Sequence, residues 1–369
     1  MATILLVSKP VEPPWNDSSK NLVRDLVLGM RRHDAVAFGR RGGDRELGRA
    51  RLEPVHPAGT GRFAPGLAEQ VRVLRHLAFG PRADLWHFFF APNPRTSTVA
   101  HAASRVRRVR SVQTVCSVPR DDVDPKRVLF ADRVVVLSHF TAERFERAGL
   151  GPERVVRIPP AAPPLVPLDP ERHRKTRTGL GIDPDALIVL YPGDLEFGRG
   201  ARFTLEAHAK LPKETHLVMA CRAKTAKARE VEAELRALAA RLGTSERVLF
   251  LGETSKILDV VGTADVVSLP SDVAYAKMDY PLVLLEAMAL ARPVVVAEGT
   301  PAAELADGGA ARAVAPNSDA VAEALSTLIA DAAYREALGA RAREAALAEY
   351  DRTRMAHAYE ALYDSLTRD

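Results

Sequence analysis

Short apolar runs alternate with amphipathic stretches from one end of the chain to the other. In the first half TILLVS, AVAF, DLWHFFF, SVQTV and RVVVLS read as strands, each a short run rich in β-branched or aromatic residues. Between them, SKNLVRDLVLGMRRH and GLAEQVRVLRHLAF repeat their apolar residues at helical spacing. Such alternation predicts repeated βαβ units and parallel sheets. After VVRI the pattern stops at PPAAPPLVPLDP, Pro159 to Pro170, whose prolines lack the amide that the interior of a helix or strand needs. A second series follows, with strands at LIVLYPG, HLVMAC, RVLFLG, DVVSLP and RPVVVA. The chain ends in helices, the last from Arg352 to Leu366, with Met355, Tyr359, Leu362 and Tyr363 at helical spacing. The pattern predicts an α/β protein of two doubly wound parallel-sheet domains, 1–165 and 166–349, joined by the proline segment. Ligands would then bind at the carboxyl ends of the strands.

Composition supports that division. The 369 residues suffice for two cores, and 47% hydrophobic with 27% charged residues is globular material. The net charge of +5 is uneven: residues 1–165 hold 27 Lys and Arg against 16 Asp and Glu, an excess of 11, which leaves −6 for the rest. A basic half beside an acidic half points to an anionic partner, either a membrane surface or an acidic acceptor, with a solvated arginine-rich face as the alternative. The absence of any reader motif or aromatic and basic interleaving argues against nucleic acid, and the densest basic run, RVRRVR at 105–110, is short. Cys116 and Cys221 have no metal-type spacing and fit a reducing cytoplasm. ILLV is too short to span a membrane, and LVLLEAMALARPVVV is broken by Glu286, Arg292 and Pro293. The expectation is a cytoplasmic protein, with peripheral contact at the inner membrane face as its extension.

Candidate chemistry concentrates in the second half. KMDYPLVLLEAMALARPVVV predicts a helix from Pro281 to Leu290 that is apolar except for Glu286. Pro281 suits a first helical position, so the free amides of Leu282 and Val283 would offer an anion site at the positive end of the helix. Glu286 lies on the same side as Leu282 and could accept bonds from two neighbouring hydroxyls, as on a ribose; pairing with Arg292 is the structural alternative. Two other strand-end loops add cations: YPGDLEFGRGARF with Gly193 and Arg199, and ACRAKTAK with Arg222 and Lys224. Together they could neutralise a diphosphate.

The succession YPGDLEFGRGARFTLEAH, HLVMACRAK, RVLFLGE, ADVVSLPS and DYPLVLLEAMALARPVVVAEGTPAAE resembles the nucleotide-sugar-binding domain of family 4 retaining glycosyltransferases. ADRVVVLSHFTAERFERAGLGPERVVRIPP is similar to that family's last N-domain unit, so the likeness covers nearly the whole chain. It implies the GT-B architecture: an acceptor-binding Rossmann-like domain faces a donor-binding one across a cleft, and the C-terminal helix, 350–369, crosses back onto the first. The implied reaction moves a sugar from a UDP-, GDP- or ADP-sugar to an acceptor hydroxyl with retention, without cofactor or bound metal. The acceptor would be a small molecule, a lipid-linked group or a polysaccharide. By the same resemblance Glu286 holds the donor ribose, Tyr280 and Pro281 lead into the amides of Leu282 and Val283 on the diphosphate, and Arg199 replaces a lysine of the phosphate pattern.

The chain departs from that pattern in three places. The sugar-contacting glutamate falls on Met278, leaving Lys277 or Asp279 to substitute; the phosphate-pattern arginine falls on Asp194, leaving its charge to Arg222 and Lys224; and the N-domain histidine near the reacting carbon is Cys116. In VSKPVEPPWNDSSKNLVRDL, a helix capped by Asp17 or Ser18 would offer amides, with Asn16, Ser18, Ser19 and Lys20 able to meet acceptor or phosphate and Trp15 as a platform; an ordinary N-cap at Asn16 to Ser19 and a packed Trp15 are the alternatives. Asp122 to Asp124 (DVD), His87 and His139 read as structural. An epimerase-like relative and a degenerate, non-catalytic nucleotide-sugar binder are the competing readings, the latter supported by Met278, Asp194 and Cys116.

Overall fold

The computed structural model describes residues 1–59, 66–120, 122–223, 225–273 and 278–367; Lys224 and Lys277 lie outside the described residues. The chain begins β1 (Thr3–Val7), α1 (Ser18–Gly29), β2 (Asp34–Arg40), β3 (Glu46–Leu47), β4 (Ala50–His56) and α2 (Leu67–Phe79). It continues β5 (Leu85–Phe89), α3 (Pro94–Arg107), β6 (Arg110–Thr114), α4 (Pro125–Val128), β7 (Arg133–Val136), α5 (His139–Arg147) and β8 (Val155–Arg157). Then follow α6 (Pro170–Gly179), β9 (Leu187–Tyr191), α7 (Gly200–His208), β10 (Thr215–Met219), α8 (Ala226–Arg241), β11 (Val248–Phe250) and α9 (Ile257–Thr263). The last elements are β12 (Val266–Leu269), α10 (Leu282–Ala289), β13 (Val294–Ala297), β14 (Arg312–Val314), α11 (Ser318–Ala330), α12 (Ala332–Glu349) and α13 (Arg352–Thr367).

These elements form two compact units. The first comprises Met1–Ala161, Tyr275–Tyr280 and Asp351–Asp369, the second Ala162–Ala274 and Pro281–Tyr350. Among the described residues the first unit holds an eight-stranded sheet ordered β3-β4-β2-β1-β5-β6-β7-β8, and the second a six-stranded sheet ordered β11-β10-β9-β12-β13-β14. All pairings are parallel except β3 with β4. Strands β1, β5 and β7 of the first sheet and β9, β10, β12 and β13 of the second are almost wholly buried, as parallel strands covered on both faces must be.

The hydropathy pattern missed β3, β4 and β14, and named VVRI, which holds β8, only as the point where the first series ends. Strand β4 reads ARLEPVH, with Pro54 in its middle, and the pairing register with β2 shifts between Phe38 and Arg40. A proline cannot donate to a ladder, so such a strand carries no clean period-two signal.

Helix α13 is an integral part of the first unit. Its Tyr363 hydroxyl lies 2.6 Å from His87 Nδ1, whose Nε2 lies 2.7 Å from Thr114 Oγ1, and Tyr359 reaches the same threonine at 3.1 Å. Burial pulls the His87 imidazole well below its ordinary pKa, so it remains neutral. Glu360, 2% exposed, accepts the amides of Arg31, Arg32 and His33 just beyond α1. At Gly29 a Cβ would sit 2.6 Å from that of Ala356, so α1 and α13 approach more closely than any larger residue would allow.

Candidate functional site

In the second unit, strand order reverses between β9 and β12, the position at which open α/β sheets form a crevice beyond their carboxyl ends. The β9–α7 and β12–α10 loops therefore start side by side. A Cβ on Gly193 would lie 2.6 Å from the Tyr191 ring and 2.7 Å from Leu269, and one on Gly200 would lie 3.0 Å from the Pro270 carbonyl oxygen. Only glycine permits that approach. Asp272 fastens the loops: Arg199 donates its amide to Oδ1 at 2.7 Å and its Nε to Oδ2 at 2.8 Å. Burial alone would raise the Asp272 pKa, but these bonds outweigh it and hold the carboxyl below its ordinary value. The Arg199 side chain stays 68% exposed, its guanidinium carbon 5.0 Å from the Phe203 ring centre.

Helices α7 and α10 start alike. The residue before each helix, Arg199 or Pro281, provides no side-chain acceptor. Pro281 was expected to be the first helical residue; its φ of −61° and ψ of 111° make it the cap, and the helix begins at Leu282. The amide of Leu284 bonds the Pro281 carbonyl at 2.9 Å, while those of Leu282 and Val283 precede any intrahelical acceptor. Glu286 is half-buried rather than enclosed. Arg292, its alternative partner, donates instead to the carbonyls of Leu290 (3.2 Å) and Ala264 (3.1 Å). Arg222 follows β10, the neighbour of β9, and lies 3.5 Å from Glu253 with its side chain 26% exposed. The carbonyl of Asp194 accepts the Tyr191 hydroxyl at 3.1 Å. The second unit thus gathers Gly193, Arg199, Arg222, Pro281, Leu282, Val283 and Glu286 on loops of β9, β10 and β12, where amides and guanidinium groups can receive an anion.

The first unit reverses between β1 and β5, and its chemistry there differs. Asp17 caps α1, accepting the amides of Ser19 (3.0 Å) and Lys20 (3.3 Å) and the Ser19 hydroxyl, and pairs with Lys9 at 2.6 Å. Burial would raise this carboxyl, yet the Lys9 charge and the bonds it receives bring it down to about 2. Asp17 is thus one of the two caps expected for α1, and it occupies the amides of Ser19 and Lys20. Ser18 is the first helical residue, and Asn16 is exposed. Lys20 is 8% exposed, its Nζ donating to the Pro14 carbonyl at 3.1 Å, and burial lowers its pKa. Lys20 and Arg24 lie 5.5 and 5.2 Å from the Trp15 ring centre.

Two candidates from the sequence turn inward. Asp279, 3% exposed, accepts the Ser138 hydroxyl at 2.8 Å and the Thr141 hydroxyl at 2.6 Å, and its amide donates to the Cys116 carbonyl at 3.0 Å. It is a latch within the first unit, not the open carboxylate expected as a sugar contact. Cys116 is 5% exposed, and burial, then the Asp17 charge, push its thiol up to about 12, which excludes a thiolate. Tyr280 is 1% exposed, and Met278 is half-buried. Asp124 of the DVD stretch caps α4 through the Lys126 amide. No group of three or more His, Cys, Asp or Glu suited to a metal ion occurs among the described residues. Sequence reasoning missed Asp272, Ser138 and Thr141; an acid directly after a strand end was the available signal for the first, and an ordinary N-cap serine the only one for the second.

Comparison with known proteins places these features. Residues 186–331 match the family model described as Glycosyl transferases group 1. The D-inositol 3-phosphate glycosyltransferase of Xylanimonas cellulosilytica is 30% identical over 254 residues, which are 63% of this chain and 59% of that protein. The alpha-D-kanosaminyltransferase of Streptomyces kanamyceticus is 27% identical over 69% of this chain and 61% of its own length. The chain thus spans about three fifths of the length of these two relatives. Anabaena Alr3699/HepE, in complex with UDP and glucose, superposes with a TM-score of 0.80 at 20% identity, covering 99% of this chain and 100% of its own. The second unit therefore contains a glycosyl transferases group 1 domain, and the chain as a whole has the fold of GT-B glycosyltransferases.

Proposed function

We propose that the chain is a retaining, metal-independent family 4 glycosyltransferase that moves a sugar from a nucleotide-diphosphate sugar to an acceptor hydroxyl. The second unit would bind the donor and the first the acceptor. The observation that carries this reading is the start of α10 at the reversal of the second sheet, which lacks a side-chain cap, with Arg199 and Arg222 on the loops after the neighbouring strands β9 and β10. The α10 amides and these guanidinium groups would stabilise the departing diphosphate, where charge grows in the transition state. Attack on the same face as the leaving group needs positioning plus that stabilisation, and the buried Cys116 and latched Asp279 give no support to a covalent nucleophile or an open base. Glu286 would receive the ribose hydroxyls.

UDP-glucose is the first donor to test, since Anabaena Alr3699/HepE, which shares this fold, is seen in complex with UDP and glucose. The acceptor would be a small molecule, such as the phosphorylated cyclitol implied by the name of one relative, or a lipid-linked or polysaccharide hydroxyl. A cytoplasmic location with peripheral membrane contact fits the exposed apolar residues Val71, Phe79 and Val106, which stand among arginines of α2 and α3. No helix among the described residues is long and apolar enough to cross a membrane.

Titration calorimetry with UDP, GDP and ADP and their sugars tests the donor site. Arg222→Ala and Glu286→Ala should each weaken the bound nucleotide at least tenfold, about 1.4 kcal/mol. Unchanged affinity in both would remove the assignment. Slow hydrolysis of the bound nucleotide-sugar separates an enzyme from a non-catalytic binder, and an α-configured product from an α-linked donor, read by NMR, separates retention from inversion.

A further inference from the structure

A second basic site lies within the first unit, away from the loops that follow β1 and β5. An open cavity of about 600 Å³ runs along α3, from Ser97 past His101 to Arg105, and is closed by Lys126 and Arg127 of α4 and by Arg154 just before β8. Asp132, directly before β7, is the one acid of its lining among the described residues. That carboxylate is already engaged, accepting the Ser111 amide at 2.8 Å and hydroxyl at 3.0 Å and lying 3.8 Å from Arg110. Four cations thus converge on one cavity with little to balance them. Like charges held together repel, and such an arrangement concentrates positive potential that a bound anion would relieve.

Two further features point to a ligand. The Arg154 guanidinium is fixed by donating to the carbonyls of Leu129 (2.9 Å) and Ala131 (3.1 Å), so its charge is held in place before anything binds. Ser97 lines the same cavity, is 1% exposed, and its hydroxyl has no hydrogen-bond partner among the described residues. A buried hydroxyl without a partner costs free energy that an acceptor oxygen would recover. Phe130, stacked edge-on against His101 at 5.9 Å, adds an apolar wall.

We propose that this cavity binds a phosphate monoester, with the phosphate among Arg105, Lys126, Arg127 and Arg154 and the body of the ligand between Ser97 and Phe130. Guanidinium forks suit phosphate oxygens, and the volume is that of a small-molecule site. The proposal does not depend on the donor site of the second unit. The phosphate could belong to a free metabolite or to a lipid headgroup.

The test uses three probes with the full chain: inorganic phosphate and glucose 6-phosphate by calorimetry, and vesicles containing phosphatidic acid, whose headgroup is a phosphate monoester, by co-sedimentation. The double variant Lys126→Glu/Arg127→Glu changes two exposed residues and should keep the wild-type Tm and UDP affinity. Binding of at least one probe should fall tenfold or more in that variant, and Ser97→Ala, which removes an unpartnered hydroxyl, should weaken the same probe several-fold without lowering the Tm. Dependence confined to the soluble probes assigns a metabolite; dependence confined to vesicles assigns a headgroup. Binding that survives in the double variant, or no saturable binding of any of the three probes to the wild type, would overturn the proposal.

Discussion

At the reversal of the first sheet, α1 and α3 start behind Asp17 and Asn93, whose side chains accept the amides of Ser19, Lys20 and Thr96. At the reversal of the second sheet, α7 and α10 start behind Arg199 and Pro281, neither of which caps its helix with its own side chain; the Asp272 carboxylate takes the Arg199 amide at α7, while α10 is left uncapped. The two units share a topology yet finish it with opposite chemistry. An N-cap carboxylate satisfies orphan amides and contributes about 1 kcal/mol, but it also occupies the position an anionic ligand would take. Leaving a helix start uncapped costs stability and keeps an anion site open. The position of Arg199 adds to this, since Asp272 holds its Nε from one side while its side chain remains mostly exposed.

The sharpest way to break the contrast is at the glycine that lets the second reversal close. Gly193→Val should destabilise the chain by about 3 kcal/mol, because the added atoms meet the Tyr191 ring and Leu269 in a packed position. Denaturant unfolding measures this, and a loss under 1 kcal/mol would mean that the two loops are not tightly packed.

A smaller effect is expected in the first unit. Asp17→Ala removes the α1 cap and the partner of Lys9, at a cost of about 2 kcal/mol near pH 7. The pH dependence gives the signature. The folded-state pKa of Asp17, about 2, is depressed below the ordinary 3.8, so its stabilisation is complete above 3.8 and is lost as pH falls towards 2. Across that interval the wild type should lose about 2 kcal/mol more than Asp17→Ala does. Parallel acid-unfolding curves for the two proteins would assign the carboxylate no such role.

The smallest expected change gives the second unit the chemistry of the first. Pro281→Asp supplies α10 with a capping carboxylate. It should raise thermal stability by about 1 kcal/mol while weakening UDP binding about tenfold, because the new carboxylate takes the amides and repels the diphosphate. If nucleotide affinity is unchanged, the α10 amides do not hold the ligand.

Much of this contrast could be read from the chain before folding was considered. The apolar runs around LIVLY, HLVM, VVSL and VVVA place the strands of the second sheet, and the lone carboxylate of α10 stands out because every neighbour is apolar. Strand β4 was invisible because Pro54 interrupts it, and β14 because three residues carry no period. Asp279 and Glu286, seven positions apart, were both candidates from the sequence, one for the sugar and the other for the ribose. The structure separates them: Asp279 is held by hydroxyls at positions 138 and 141, whereas Glu286 sits half-buried on a helix.

The sequence by itself determined most of the succession of elements, the proline segment between the two series, the glycines of the β9–α7 loop and the amides at the start of α10. These depend on local properties, the period of apolar residues and the backbone restrictions of glycine and proline. Only the tertiary structure decided which charges are open. Asp272 reaches Arg199 across 73 positions, Ser138 reaches Asp279 across 141, and the four cations of the α3 cavity come from three separate elements or their edges. Whether a charged side chain is available to a ligand is set by what folding packs against it, and no local pattern records that.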